Sequence, residues 1–194
     1  MIIETVKGIP LKLNTTPALF SPNQIDKGTQ AMLSVVDFST ENKVLDLGCG
    51  YGVVGIVAAK IIGANNVIMS DVCEEAVKMA RENAITNNVD EIQIILSDGF
   101  KNIEESDFTL ILSNPPYHTD FSVPKHFIEK GFRCLAIGGK MVMVVKRRDW
   151  YKNKLIAIFG GVKIDGIDDY FVMTAEKRSS YFANSKRKKT GLLR

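Results

Sequence analysis

The feature that most constrains this chain is a series of short apolar runs, most closing on a polar residue and each separated from the next by a different periodicity. "KVLDLG" (43–48), "NVIMSD" (66–71), "IQIILSD" (92–98), "FTLILSN" (108–114) and "KMVMVV" (140–145) are the runs. Several lack polar alternation, the pattern of strands buried on both faces of a parallel sheet. Between them, "VVGIVAAKII" and "EEAVKMARENAITNN" have helical spacing. In the second, Ala76, Met79, Ala80 and Asn83 share one face, and Glu74 and Glu75 favour the helix start. "PKHFIEKGFRCLAI" is expected to be a further helix, ending at Gly138 and Gly139.

Strand–helix alternation implies βαβ units with right-handed crossovers. The expected fold is α/β and Rossmann-like: an open, mostly parallel seven-stranded sheet with helices on both faces and an antiparallel C-terminal hairpin. That hairpin is "VKIDGIDDYFVMTAEK", turning around Gly166 or around Asp168 and Asp169. Residues 99–107 leave little room for a regular helix between the third and fourth strands. The N-terminal "IIETVKGIPLKLNT" reads as a small hairpin turning at Gly8, Ile9 and Pro10, and "SPNQIDKGTQAMLSVVDF" as a capped helix lying across the sheet. With 194 residues the chain is long enough for one full core. It is read as one domain over 1–194: a hairpin-and-helix extension (1–40), a core (41–178) and a basic tail (179–194).

No apolar run approaches the ~20 residues of a membrane span, and the N-terminus does not read as a secretory signal. Three cysteines without paired spacing argue against a disulfide framework and suit a reducing cytoplasm. The net charge of +3 excludes a strongly basic nucleic-acid binder as a whole, but "KRR" (146–148) and "KRKK" (186–189) are local clusters that permit phosphate contact. The spacing of His118 and His126 with Cys49 or Cys134 fits no zinc pattern, and no metal site is expected. Cys49 reads as a small loop residue, since no base partner is readable. The sequence does not decide whether Trp150 and Tyr151 are core or substrate-facing.

Chemistry gathers where the strands end. Asp46, Asp71, Asp98 and Asn114 fall at or near strand ends, and the carboxyl ends of parallel strands share one edge of an open sheet. "DLGCGYGVVG" supplies Gly48, Gly50 and Gly52, which let a backbone turn tightly and approach a ligand. It contains G-x-G-x-x-G at Gly50, Gly52 and Gly55, with Asp71 suited to ribose hydroxyls. Alone, this does not separate a nicotinamide oxidoreductase from other enzymes with nucleoside cofactors. Asp98, in "LSDGF", is placed to accept from an adenine amino group. "TLILSNPPYHTD" then ends an apolar run in Asn114-Pro115-Pro116-Tyr117, where two prolines stiffen the chain and donate no hydrogen bonds.

With Asp46 giving D-x-G-x-G-x-G ahead of Asn-Pro-Pro-Tyr, the sequence resembles the class I S-adenosylmethionine-dependent methyltransferases. "ALFSPNQIDKGTQAML" before the glycine loop, and "NPPYH" after it, resemble the small-subunit ribosomal RNA guanine-N2 methyltransferase family, in its short, single-domain form. The resemblance implies S-adenosylmethionine as cofactor, held by Asp46, Gly48, Cys49, Gly50, Gly52, Asp71, Val72, Asp98, Gly99 and Asn114. It implies catalysis by Asn114, Pro115, Pro116 and Tyr117. The Asn114 amide oxygen and the Pro115 carbonyl would accept the two hydrogens of a planar amine, and Tyr117 would stack on the base. The implied partner is RNA, small-subunit ribosomal RNA or the assembled subunit, with a monomer or a homodimer both open. The same motif also occurs in adenine-N6 and protein-glutamine methyltransferases, and a non-catalytic RNA-binding module is the remaining alternative.

Overall fold

The computed structural model describes residues 1–116 and 121–184. The chain opens with a hairpin, β1 (Ile2–Val6) and β2 (Ile9–Leu13), followed by α1 (Lys27–Val35). Then come β3 (Val44–Leu47), α2 (Val53–Ile62), β4 (Val67–Asp71), α3 (Glu74–Thr86), β5 (Gln93–Leu96) and β6 (Phe108–Ser113). It closes with α4 (Ser122–Cys134), β7 (Leu135–Val145), α5 (Arg148–Phe159), β8 (Lys163–Ile167) and β9 (Tyr170–Glu176).

The main sheet has seven strands in the order β5-β4-β3-β6-β7-β9-β8. The strands from β5 to β7 pair in parallel, while β9 runs antiparallel to both neighbours. From β3 the chain builds outward to β5 and then returns to place β6 on β3's other side. The strand order therefore reverses between β3 and β6, the place where an open α/β sheet forms a crevice.

Both sheet faces are covered, which explains the unalternated apolar runs. Val44, Leu110, Leu112, Val142 and Val144 pack on one side with residues of α1, α2 and α3. Leu45, Leu47, Ile111, Met141 and Met143 pack on the other with Ile128 and Phe132 of α4 and Leu155 and Ile158 of α5. Among the described residues no helix is long and apolar enough to cross a membrane.

Several boundaries differ from the sequence expectation. The N-terminal hairpin turns at Lys7 and Gly8, with φ of +52 and +77, not at Gly8, Ile9 and Pro10. Positive φ at both central residues is what a tight hairpin turn requires. The helix expected over 21–38 is confined to α1, because Asp26 caps it by accepting from the Thr29 backbone N–H at 2.9 Å. The helix expected to run to Gly138 and Gly139 stops at Cys134, and Leu135 begins β7. Lys177 Nζ donates to the Leu135 carbonyl at 2.5 Å and to the Arg133 carbonyl at 3.3 Å, taking up acceptors at the helix end. Gly139 lies so close to the β6 backbone that a Cβ would stand 2.8 Å from the Phe108 carbonyl oxygen. The C-terminal hairpin turns at Asp168 and Asp169, the second of the two expected places. Helix α5 was not anticipated. Tail residues 185–194 lie outside the described residues.

The N-terminal extension is tied to the core by two asparagines, Asn83 within α3 and Asn87 at its C-cap. Asn83 Oδ1 accepts from Asn14 N at 2.7 Å, and its Nδ2 donates to the carbonyls of Asn14 and of Tyr51, both at 2.9 Å. Asn87 does the same for Lys12, accepting at 3.1 Å and donating at 2.8 Å. Asn83 is fully buried and joins the extension to the glycine loop through one side chain. Replacing Asn83 by alanine leaves backbone groups without partners and should cost about 2–3 kcal/mol in urea unfolding, despite alanine's better helix propensity. A loss under about 0.5 kcal/mol would contradict this role.

Candidate functional site

The cleft is built by the strand ends. Asp46 is the third residue of β3 and Asp71 the last of β4, Asp98 stands two residues past β5, and Asn114 follows β6 directly. All four line one cavity of about 400 Å3, within the range of about 300–1,000 Å3 typical of small-ligand sites. The same cavity is lined by Gly48, Cys49, Gly50, Val72, Gly99, Pro115 and Pro116. Gly52 caps α2 with φ of +95 instead of facing the cavity, and a Cβ there would press on Ala80 and Ile56 at 3.3 Å. Tyr117 and His118 lie outside the described residues.

The glycine loop is held by the two strands beneath it. Gly48 and Cys49 donate to the Ser70 carbonyl at 2.8 and 2.9 Å, and Gly50 donates to Asp71 Oδ2 at 2.8 Å. Asp71 Oδ1 accepts from Cys73 N at 3.0 Å. A carboxylate has about four lone-pair directions, so Asp71 keeps capacity for hydroxyl donors. Asp46 Oδ2 accepts from Gly55 N at 2.8 Å, bridging β3 to the first turn of α2. A Cβ at Gly55 would stand 2.2 Å from Met69 Sδ, so this glycine is required by close packing.

Asp46 is buried, and desolvation raises its carboxyl to about 7; the Gly55 N–H opposes the rise and the Asp71 charge adds to it. Burial likewise pushes the Cys49 thiol well above its usual value, which suits an inert packing residue. The third strand's loop is ordered by Ser97, whose Oγ donates to the Gly99 carbonyl at 2.9 Å and accepts from Asn102 N at 3.0 Å.

Asn114 is fixed by α1. Its Nδ2 donates to Asp26 Oδ2 at 2.8 Å and to Thr29 Oγ1 at 3.1 Å. Asp26 and Thr29 also line the cavity, as do Phe20, Tyr51, Val123 and Phe127. None of these was a candidate from the sequence, although Phe20, Asp26 and Thr29 stand in the quoted stretch "ALFSPNQIDKGTQAML". Tyr51 Oη donates to the carbonyls of Ser21 and Gln24, both at 3.3 Å, holding the segment before α1 against the glycine loop.

Past β7, Lys146, Arg147 and Arg148 lie over the rings of Tyr170, Phe121 and Phe171 at 4.8, 5.4 and 5.9 Å. Trp150 is half-buried and stacks on Phe121 at 4.3 Å, and Tyr151 is buried, so both pack against the protein.

Comparison with known proteins decides what this crevice belongs to. The family model described as the methyltransferase small domain matches residues 10–174. The chain belongs to the methyltransferase small domain family. A relative from Hamiltonella defensa, named ribosomal RNA small subunit methyltransferase C, is 36% identical over 82% of this chain and 47% of its own length. One from Yersinia enterocolitica, named ribosomal RNA large subunit methyltransferase G, is 30% identical over 84% of this chain and 43% of its own. The chain thus spans about half the length of the curated relatives it matches. A T. thermophilus 16S rRNA N2 methyltransferase, solved in complex with AdoMet and guanosine, superposes with a TM-score of 0.80 at 24% identity. That superposition covers 91% of this chain and 50% of the other.

The cleft's residues fit S-adenosylmethionine, the cofactor that the sequence resemblance implies. Gly48 and Gly50, with φ of +75 and +55, turn their open side to the cavity, where a Cβ would meet no atom within 4 Å. Backbone can therefore approach a ligand closely there. A cation in the cleft favours ionised Asp46, so binding of S-adenosylmethionine should release protons and tighten by up to about tenfold between about pH 6 and pH 8. Calorimetry should find a smaller change for S-adenosylhomocysteine, whose sulfur carries no charge, and a flat profile for Asp46→Asn. The same pH dependence in that variant would contradict the assignment.

Proposed function

We propose that this methyltransferase moves a methyl group from S-adenosylmethionine to an exocyclic amine of a nucleobase, with guanine N2 of small-subunit ribosomal RNA as the leading target. The observation that carries this reading is the Asn114 amide. Its Nδ2 donates to Asp26 and Thr29, so Oδ1 is the accepting end of the amide, at the edge of the cleft. The names of the relatives, one a small-subunit and one a large-subunit ribosomal RNA methyltransferase, support an RNA substrate.

When bound, S-adenosylmethionine supplies an electrophilic methyl on a positively charged sulfur. The glycine loop and Asp46 hold the methionine part, Asp71 and Val72 the ribose end, and Asp98 and Gly99 the adenine. Asn114 Oδ1 and the Pro115 carbonyl accept the two amine hydrogens, turning the nitrogen lone pair out of conjugation and toward the methyl. Proline rings fix this pair of acceptors in register. Tyr117, the residue after Pro116, supplies a ring for stacking on the base. In the transfer the S–CH3 bond breaks, the N–CH3 bond forms, and the nitrogen then gives up a proton to water. Alignment of this kind can supply up to about 7–11 kcal/mol of the barrier.

A large-subunit target is the second reading, favoured by the Yersinia relative. Both are tested with methyl-labelled S-adenosylmethionine and separated subunits, free ribosomal RNA, transfer RNA, DNA and release factors from cells lacking the protein. Label recovered as N2-methylguanosine from small-subunit RNA is expected. Label in large-subunit RNA selects the second reading, and methyladenosine or methylglutamine replaces the acceptor. No label overturns the proposal. Asn114→Ala should lower turnover about 100–1,000-fold while cofactor affinity stays within about threefold.

A further inference from the structure

We propose that Asp26 and Thr29 are positioning residues that lock the Asn114 side-chain amide with its oxygen as the accepting end, an inference that rests on Asn114 receiving the substrate amine. An asparagine amide is nearly symmetric in shape, so either the oxygen or the NH2 can point into a cleft. The two orientations differ completely in chemistry: the oxygen accepts a hydrogen from an amine, and the NH2 group opposes one.

The surroundings of Asn114 remove the ambiguity. Asp26 Oδ2 lies 2.8 Å from Asn114 Nδ2, and a carboxylate oxygen only accepts. A flipped amide would set oxygen against that carboxylate and forfeit the charge-assisted bond. Thr29 Oγ1 takes the second Nδ2 contact at 3.1 Å, from a side chain that is only 8% exposed. The same Asp26 oxygen accepts from Thr29 N at 2.9 Å. One carboxylate therefore caps α1 and orients Asn114 together, and cannot swing away from either without losing both.

Helix geometry makes the pair possible. Residues three apart face the same side of a helix, and Asp26 and Thr29 straddle the first turn of α1. The helix is held at its far end too, where Lys7 Nζ donates to the carbonyls of Leu33 and Val36 at 3.1 and 3.0 Å. Clamping α1 at both ends keeps the two acceptors in place beneath the Asn-Pro-Pro bracket. The negative charge on Asp26 also polarises the amide and strengthens Oδ1 as an acceptor.

Nuclear magnetic resonance and kinetics on the full chain test this together. The Asn114 side-chain amide signal, assigned by its loss in Asn114→Ala, should show two slowly exchanging protons. It should shift in Asp26→Ala and in Thr29→Val, the latter leaving the helix cap intact. On the RNA that the wild type methylates, Asp26→Ala should lower kcat about 10–100-fold and Thr29→Val about tenfold. The RNA KM and the affinity for S-adenosylhomocysteine should stay within about threefold of wild type, where a general loss of structure would move them. Asp26→Asn and Thr29→Ser, which keep an acceptor, should recover most of kcat. In an Asn114→Ala background, Asp26→Ala should slow single-turnover transfer no further.

An amide signal unmoved in both variants overturns the proposal. So does an unchanged kcat, or a fall in kcat matched by equal losses of affinity. If the wild type methylates no substrate while the amide signal behaves as described, the locked orientation stands and the functional reading falls.

Discussion

Parallel pairing of β3 with β4 and β6, and of β4 with β5, is the constraint on which the rest of this molecule depends. Parallel strands bring all their carboxyl ends to one edge, so residues as far apart as Asp46 and Asn114 become walls of a single cleft. Reversal of strand order between β3 and β6 opens the crevice, and the helices on either face seal the sheet behind it. Buried carbonyls and carboxylates then do the local work. Ser70, Asp71 and Asp46 take up the backbone N–H groups of the glycine loop and of the first turn of α2, which leaves the loop rigid before any ligand arrives.

A second layer comes from the N-terminal extension, which is structurally part of the site. Asn83 ties Asn14 to Tyr51, Tyr51 holds the segment carrying Ser21 and Gln24, and Asp26 and Thr29 reach Asn114. The glycine-loop side and the Asn114 side of the cleft thereby share one framework of hydrogen bonds. Rigidity on both sides suits the proposed reaction, whose main requirement is alignment of a methyl, a sulfur and a nitrogen along one line.

Much of the fold was legible because a buried parallel strand leaves an unambiguous apolar run, and all five runs over 43–145 became strands. Ambiguity arose where apolar residues continue past a helix, as at Leu135, whose strand character depends on pairing with Phe108 of β6. Helix α5 carried a readable signal, Tyr151, Leu155, Ile158 and Phe159 at helical spacing, hidden behind the basic cluster at its start. The strand-end carboxylates and Asn114 were grouped from the sequence because topology alone brings them to one edge. Asp26 and Thr29 were not, because nothing in local periodicity links them to a residue 88 and 85 positions away. Gly52 shows the converse: it belongs to the glycine motif, but it does not line the cavity, and its positive φ serves to cap α2.

The central claim is that this crevice takes a sulfonium nucleoside and not a dinucleotide, although Gly50, Gly52, Gly55 and Asp71 also spell the dinucleotide pattern. The most direct measurement is calorimetric titration of the full chain with S-adenosylhomocysteine and with NAD under the same conditions. Saturable binding of S-adenosylhomocysteine at one site per chain, weakened by Asp71→Ala, with NAD binding at least about a hundredfold weaker, is the predicted result. Preferential binding of NAD would contradict the account.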